Sequence, residues 1–124
     1  MALELRSIEG LPAQERLPLV VYSASSAVGA FAVKLATVSN IHPLICILGR
    51  GAHYVQTLLD PSRGDVIIDY RKGDEHAVKE LESILSDEKL LYAFDAVSDK
   101  GSFQNLMKVM NHDRGRIALV LARK

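Results

Sequence analysis

Leu19-Val20-Val21-Tyr22-Ser23-Ala24-Ser25-Ser26-Ala27-Val28-Gly29-Ala30-Phe31-Ala32-Val33-Lys34-Leu35-Ala36 decides how this chain of 124 residues is built. The stretch opens on an apolar run rich in valine, the signature of a buried strand. Ser23 to Ala27 are all small, and beyond them the apolar positions recur at helical spacing. A strand, a tight loop of small residues and a helix, in that order, bring backbone N–H groups and the positive end of a helix to one place, which suits a phosphate group. Gly29 falls where the helix would press against the sheet, a position that wants no side chain. Ala24 and Ser26 stand where a dinucleotide-binding loop more often has glycine, and the hydroxyls of Ser25 and Ser26 would add donors to the phosphates. The alternative is a tight strand-to-helix connection that holds no ligand.

Outward from this stretch, strand-like and helix-like segments alternate. The expected strands are Leu19 to Tyr22, Pro43 to Leu48, Asp65 to Tyr70, Leu90 to Val97 and Arg116 to Leu121. Between them the spacing predicts helices over Ala27 to Val38, Ala52 to Leu59, Asp74 to about Leu85, and Gly101 to Met110. In the first of these Phe31, Leu35 and Val38 fall on one apolar stripe. The second carries Tyr54, Val55, Leu58 and Leu59, and the third Val78, Leu81, Ile84 and Leu85. A short helical piece, Ala2 to Ile8, precedes Gly10 and Pro12. Strands that are apolar on both faces and separated by helices indicate an α/β fold with a parallel sheet covered on both sides. Right-handed crossovers make it a Rossmann-like doubly wound sheet of five strands in the order 3-2-1-4-5.

The bulk composition is that of an ordinary globular domain, with 48% hydrophobic and 24% charged residues. Fifteen basic and fifteen acidic residues cancel, so no global field favours nucleic acid or an anionic membrane. No apolar run reaches membrane-spanning length, and Glu4, Arg6 and Glu9 interrupt the start where a signal peptide needs an apolar core. A cytoplasmic protein is the expectation. The lone Cys46, within Leu44-Ile45-Cys46-Ile47-Leu48, reads as a small core residue and cannot form an intrachain disulfide. His42, His53, His76 and His112 lie far apart without metal-ligand spacing, so no metal site is expected.

Candidate chemistry concentrates at the strand ends. A carboxylate about 20 residues past the glycine motif would hold a ribose 2′-hydroxyl, but this region reads Ile47-Leu48-Gly49-Arg50-Gly51. Arg50 is placed to pair with a 2′-phosphate, which favours NADP over NAD; the alternative is a solvated loop arginine. Asp69 and Asp95 end the third and fourth strands, at the edge where open α/β sheets bind ligands. Each is a candidate acid–base group or a loop cap. Ala96-Val97-Ser98 could run beside a nicotinamide ribose. No tyrosine has a lysine four residues on, and no Ser-His-Asp set stands in a workable order.

Several motifs, in order over about residues 18 to 121, resemble the cofactor domain of medium-chain dehydrogenase/reductases. They are the Leu19 to Ala36 turn, the break at Gly49-Arg50, Gly64-Asp65-Val66-Ile67-Ile68-Asp69-Tyr70-Arg71, Phe94-Asp95-Ala96-Val97-Ser98 and Arg114-Gly115-Arg116-Ile117-Ala118-Leu119-Val120. The likeness is to the zinc-independent quinone oxidoreductase and enoyl reductase branch of fungal type. It implies an NADPH-dependent enzyme that transfers hydride to an activated double bond, quinone or carbonyl. It also implies a pyrophosphate against the backbone of Ser25, Ser26, Ala27 and Val28. The 2′-phosphate would lie near Gly49, Arg50 and Tyr70, and the nicotinamide end near Val97 and Ser98. No catalytic residue is assigned. Residues 1–17 are expected to be the remainder of a junction helix and linker, and 18–124 the NADP-binding domain. With no GroES-like substrate domain in the sequence, the expected outcome is NADP(H) binding without turnover.

Two other readings remain. In one, the fold is a non-catalytic assembly module whose exposed face or sheet edge supports self-association. In the other, a methyltransferase using S-adenosylmethionine, an acidic residue should end the second strand, and Gly49-Arg50 stands there instead.

Overall fold

A computed structural model describes residues 17–24, 26–86, 88–96 and 100–119. In chain order the elements are β1 (Leu19–Tyr22), α1 (Ala27–Val38), β2 (Leu44–Leu48), α2 (Ala52–Gln56), β3 (Val66–Asp69), α3 (Asp74–Leu85), β4 (Tyr92–Asp95), α4 (Lys100–Val109) and β5 (Arg116–Leu119). The five strands are all parallel and ordered β3-β2-β1-β4-β5, the topology the sequence predicted. The expected piece Ala2 to Ile8, Ser25, Val97, Ser98 and the end of the fifth strand beyond Leu119 lie outside the described residues.

Alternation along each strand divides the core in two. Leu19 and Val21 of β1 point with Leu44, Cys46 and Leu48 of β2 into a layer closed by Ala32, Val33 and Ala36 of α1 and by Val55 of α2. Val20 and Tyr22 point the other way, with Ile45, Ile47 and Ile68, toward Ala77, Leu81 and Leu85 of α3 and Leu106 and Val109 of α4. Every residue of β1 and β2 is buried, as central parallel strands require. Burial pushes the Cys46 thiol up to about 12, with the Asp65 charge adding to the effect. The core reading of this cysteine therefore holds.

The expected face of α1 is reversed. Phe31 is 62% and Val38 83% exposed, and the helix instead buries Gly29, Ala30, Ala32, Val33 and Ala36. The reason is steric. A helix that follows a tight turn seats close to the sheet, where alanine fits and phenylalanine does not. α2 is also shorter than expected. It stops at Gln56, where the Leu58 and Leu59 amides bond three residues back, to Val55 O (2.9 Å) and Gln56 O (3.2 Å). β4 is shorter at its start, since Leu90 makes an isolated bridge to Met110 rather than continuing the ladder.

At the amino edge of the sheet one buried carboxylate gathers three donors. Asp65 Oδ1 accepts the Leu44 N–H and the His42 Nδ1–H, each at 2.8 Å, and Oδ2 accepts the Asp60 N–H at 2.9 Å. Because the aspartate accepts from it, the His42 proton belongs on Nδ1. Asp65, expected as strand, thus ties the loop before β3 to the start of β2. Asp65→Ala would leave these donors without a partner in a buried place and should lower unfolding stability by about 3 kcal/mol in urea titrations.

A second expectation concerns Cys46. A disulfide-exchange reagent at about pH 8 should leave it unmodified in the folded chain and titrate it fully in denaturant. Its raised pKa means its contribution to stability is intact below pH 9, the ordinary thiol value, and falls as pH rises from there toward about 12. Cys46→Val should remove that alkaline loss.

Candidate functional site

The carboxyl ends of the strands hold most of the residues singled out in the sequence. β1 ends at Tyr22, and Ser23 then adopts a left-handed backbone with φ of 63°, a conformation that favours glycine. Its amide and that of Ala24 both donate to Ile47 O, at 2.7 and 3.3 Å, so the turn is fastened to β2. Ser26 is the N-cap of α1: its hydroxyl accepts the Gly29 N–H at 3.0 Å and donates to Ser23 O at 2.9 Å. This corrects the expectation for Ser26, because its one hydroxyl proton is engaged within the turn. The Ser26 amide also turns inward, to Ser23 O at 3.1 Å.

Among the described residues of the turn, the donors left facing outward are therefore backbone ones. The amides of Ala27 and Val28, first in the helix, have no partner among the described residues, and helix geometry aims them off its N-terminus. Gly29 explains how the helix comes so near. A Cβ there would run into Ser23 O and would lie 2.9 Å from Ala24 Cα.

Gly49 and Tyr70 are brought together at the ends of β2 and β3. A Cβ on Gly49 would lie 3.2 Å from Tyr70 Cε1 and 3.1 Å from both Cγ and Cδ of Arg71. Arg50, next in the chain, is exposed and makes no ion pair among the described residues. Arg71 is a residue that the sequence argument quoted within a motif but did not assign. Its Nε and Nη2 donate to the two carboxylate oxygens of Asp69, each at 3.0 Å, and its amide donates to Asp69 Oδ1 at 2.9 Å. The Arg71 hydrogen bonds hold the Asp69 carboxyl down to about 2. The spacing Asp-Tyr-Arg, a carboxylate and a guanidinium two residues apart at a strand end, permits this fork without revealing it.

Neither candidate acid–base aspartate is presented to a ligand. Asp69 is bound to Arg71, and Asp95 is fully buried and accepts the Ser102 hydroxyl at 2.7 Å. Ser102 lies near the start of α4, so Asp95 links the end of β4 to that helix, the capping alternative. Beside it, the Ala96 N–H donates to Tyr22 O at 3.1 Å, so the chain leaves β4 directly alongside β1. α1 and α2 cover one face and α3 and α4 the other, so the winding reverses between β1 and β4. In open α/β sheets that reversal opens the ligand crevice at the carboxyl ends. A shallow cleft of about 560 Å³ lined by Lys89, Met107, Lys108 and His112 lies instead at the far end of α4, away from these groups.

The parallel sheet and its capped turn define a Rossmann-like domain. A solved structure of a probable oxidoreductase from Mycobacterium abscessus shares the fold, with a TM-score of 0.62 at 17% identity over 97% of this chain and 36% of that one. No family model matches the sequence. Over 107 residues, 86% of its length, the chain is 50% identical to a trans-enoyl reductase of Gibberella fujikuroi. The chain spans about a third of that relative, 32%. With its motifs and fold, this makes the chain a relative of the medium-chain reductases of enoyl reductase type.

Gly29→Ala tests the packing behind the site. The added methyl meets backbone rather than a flexible side chain, so it should cost about 2 kcal/mol or more of stability, read as a lower urea midpoint at unchanged slope.

Proposed function

We propose that residues 18–124 form the NADPH-binding domain of an oxidoreductase that passes hydride to an activated double bond, quinone or carbonyl. The observation that carries this reading is the capped start of α1, which directs the Ala27 and Val28 amides outward at the carboxyl edge of the sheet. A pyrophosphate there would meet two backbone donors and a helix N-terminus. The loop of small residues lets it come close to the backbone. The exposed Arg50, following Gly49, would take the 2′-phosphate, with Tyr70 beside it, and Val97 and Ser98 would run along the nicotinamide end. The likeness to a trans-enoyl reductase fits a nicotinamide cofactor.

Residues 1–17 are proposed as a junction and linker. By itself the 124-residue stretch would bind cofactor without turnover, since hydride transfer needs a second wall to hold the substrate against the nicotinamide. Among the described residues no helix is long and apolar enough to cross a membrane, and we place the protein in the cytoplasm.

Titration with NADPH and NADH, followed by nicotinamide fluorescence, tests the proposal. NADPH should bind more tightly. Arg50→Ala should weaken NADPH by about tenfold to a hundredfold, the worth of a charge-assisted hydrogen bond, with NADH nearly unchanged. Tighter binding of NADH by the wild-type chain would refute the assignment. One observation favours the assembly reading: Phe31 and Val38 expose large apolar surface on α1. It expects no dinucleotide affinity and a mass in light scattering that grows with concentration.

A further inference from the structure

The Asp69–Arg71 fork lies against the end of β2, beside Arg50, and has more to offer than a surface ion pair. Gly49 leaves room there, so the Arg71 stem and the Tyr70 ring stand where a Cβ on residue 49 would crowd them. The guanidinium is not loose, because Asp69 holds Nε and Nη2 in a bidentate grip and the Arg71 amide as well. A guanidinium has five N–H donors. The two bound to Asp69 leave three, and no other partner takes them among the described residues. The Arg71 side chain is 58% exposed, so these donors reach solvent. Arg50, Arg71 and the neighbouring Lys72, set against the carboxylate of Asp69, leave the ends of β2 and β3 net positive.

We infer that Arg71 is a specificity-determining residue that binds a phosphomonoester together with Arg50, with Asp69 as the positioning residue that holds it ready. This deepens the cofactor reading above and rests on it: the phosphomonoester is the 2′-phosphate that distinguishes NADPH from NADH. The physical case is pre-organisation. An arginine stem loses rotamer freedom when it binds, and one already fixed by a bidentate partner loses less on meeting a ligand. A dianionic phosphate needs several N–H donors and more than one cation. Arg50 alone, without an ion pair among the described residues, supplies one cation that no described partner fixes.

The test is the ratio of NADPH to NADH affinity, measured by fluorescence titration of the full chain and of Arg71→Ala and Arg71→Lys. Thermal unfolding of each variant should match wild type, since the side chain is at the surface. Arg71→Ala should weaken NADPH about tenfold or more and leave NADH within twofold. Its NADPH affinity should also fall less steeply with added salt, one cation having been removed from the contact. Arg71→Lys keeps the charge without the fork and should recover part of the loss. An unchanged ratio in Arg71→Ala, or an equal loss for both dinucleotides, would overturn the assignment. A wild-type chain that binds neither dinucleotide refutes the cofactor reading itself. A wild-type chain that prefers NADPH while Arg71→Ala prefers it equally refutes only the role of Arg71.

Discussion

Gly29 has no side chain, and for that reason α1 can rest directly on the Ser23–Ala24 backbone. The consequences spread in both directions. Toward the carboxyl edge of the sheet, the close seat lets Ser26 cap the helix and sends outward the first amides that have no partner among the described residues. Toward the core, it selects alanines for the inner face of α1 and leaves Phe31 and Val38 outside. The fastening of Ser23 and Ala24 to Ile47 then ties the same turn to β2, and through β2 to the Gly49–Arg50 segment.

The two edges of the sheet are treated differently. At the amino edge Asp65 accepts three hydrogen bonds and is buried, so its charge is consumed in holding loop to strand. At the carboxyl edge Asp95 is also buried and turned inward, toward Ser102. Among the described residues, that edge shows to solvent the first amides of α1 and the side chains of Arg50 and Arg71. The proposed anion recognition would therefore rest on the backbone and on exposed cations, with Asp95 buried and Asp69 engaged by Arg71.

Most of the architecture was legible because parallel strands buried on both faces read as unbroken apolar runs. Leu19–Tyr22 and Leu44–Leu48 could be little else. α1 was bounded correctly by its small-residue turn, and α3 begins at Asp74 as expected. The orientation of α1 was not legible, because Ala30, Ala32, Val33 and Ala36 form one apolar face and Phe31, Leu35 and Val38 another. Periodicity ranks the larger residues first, and only the tight seat on the turn decides between them. At the site, Gly49, Arg50 and Tyr70 could be placed by strand order. The engagement of the Ser26 hydroxyl and the Asp69–Arg71 fork depends on local hydrogen bonding that spacing does not reveal.

Of the described strands β1 is made first, and it lies in the middle of the sheet. It pairs with β2 on one side, but its other neighbour, β4, begins only at Tyr92. As the chain leaves a ribosome, Leu-Val-Val-Tyr therefore keeps one flank of its backbone open until some seventy further residues have emerged. The apolar outer face of α1 is out at the same time. Non-local pairing of this kind closes slowly, and an unpaired apolar strand is where nascent chains stick to one another. The topology that gives the turn its central place also makes it the segment of this protein most in need of shelter during synthesis.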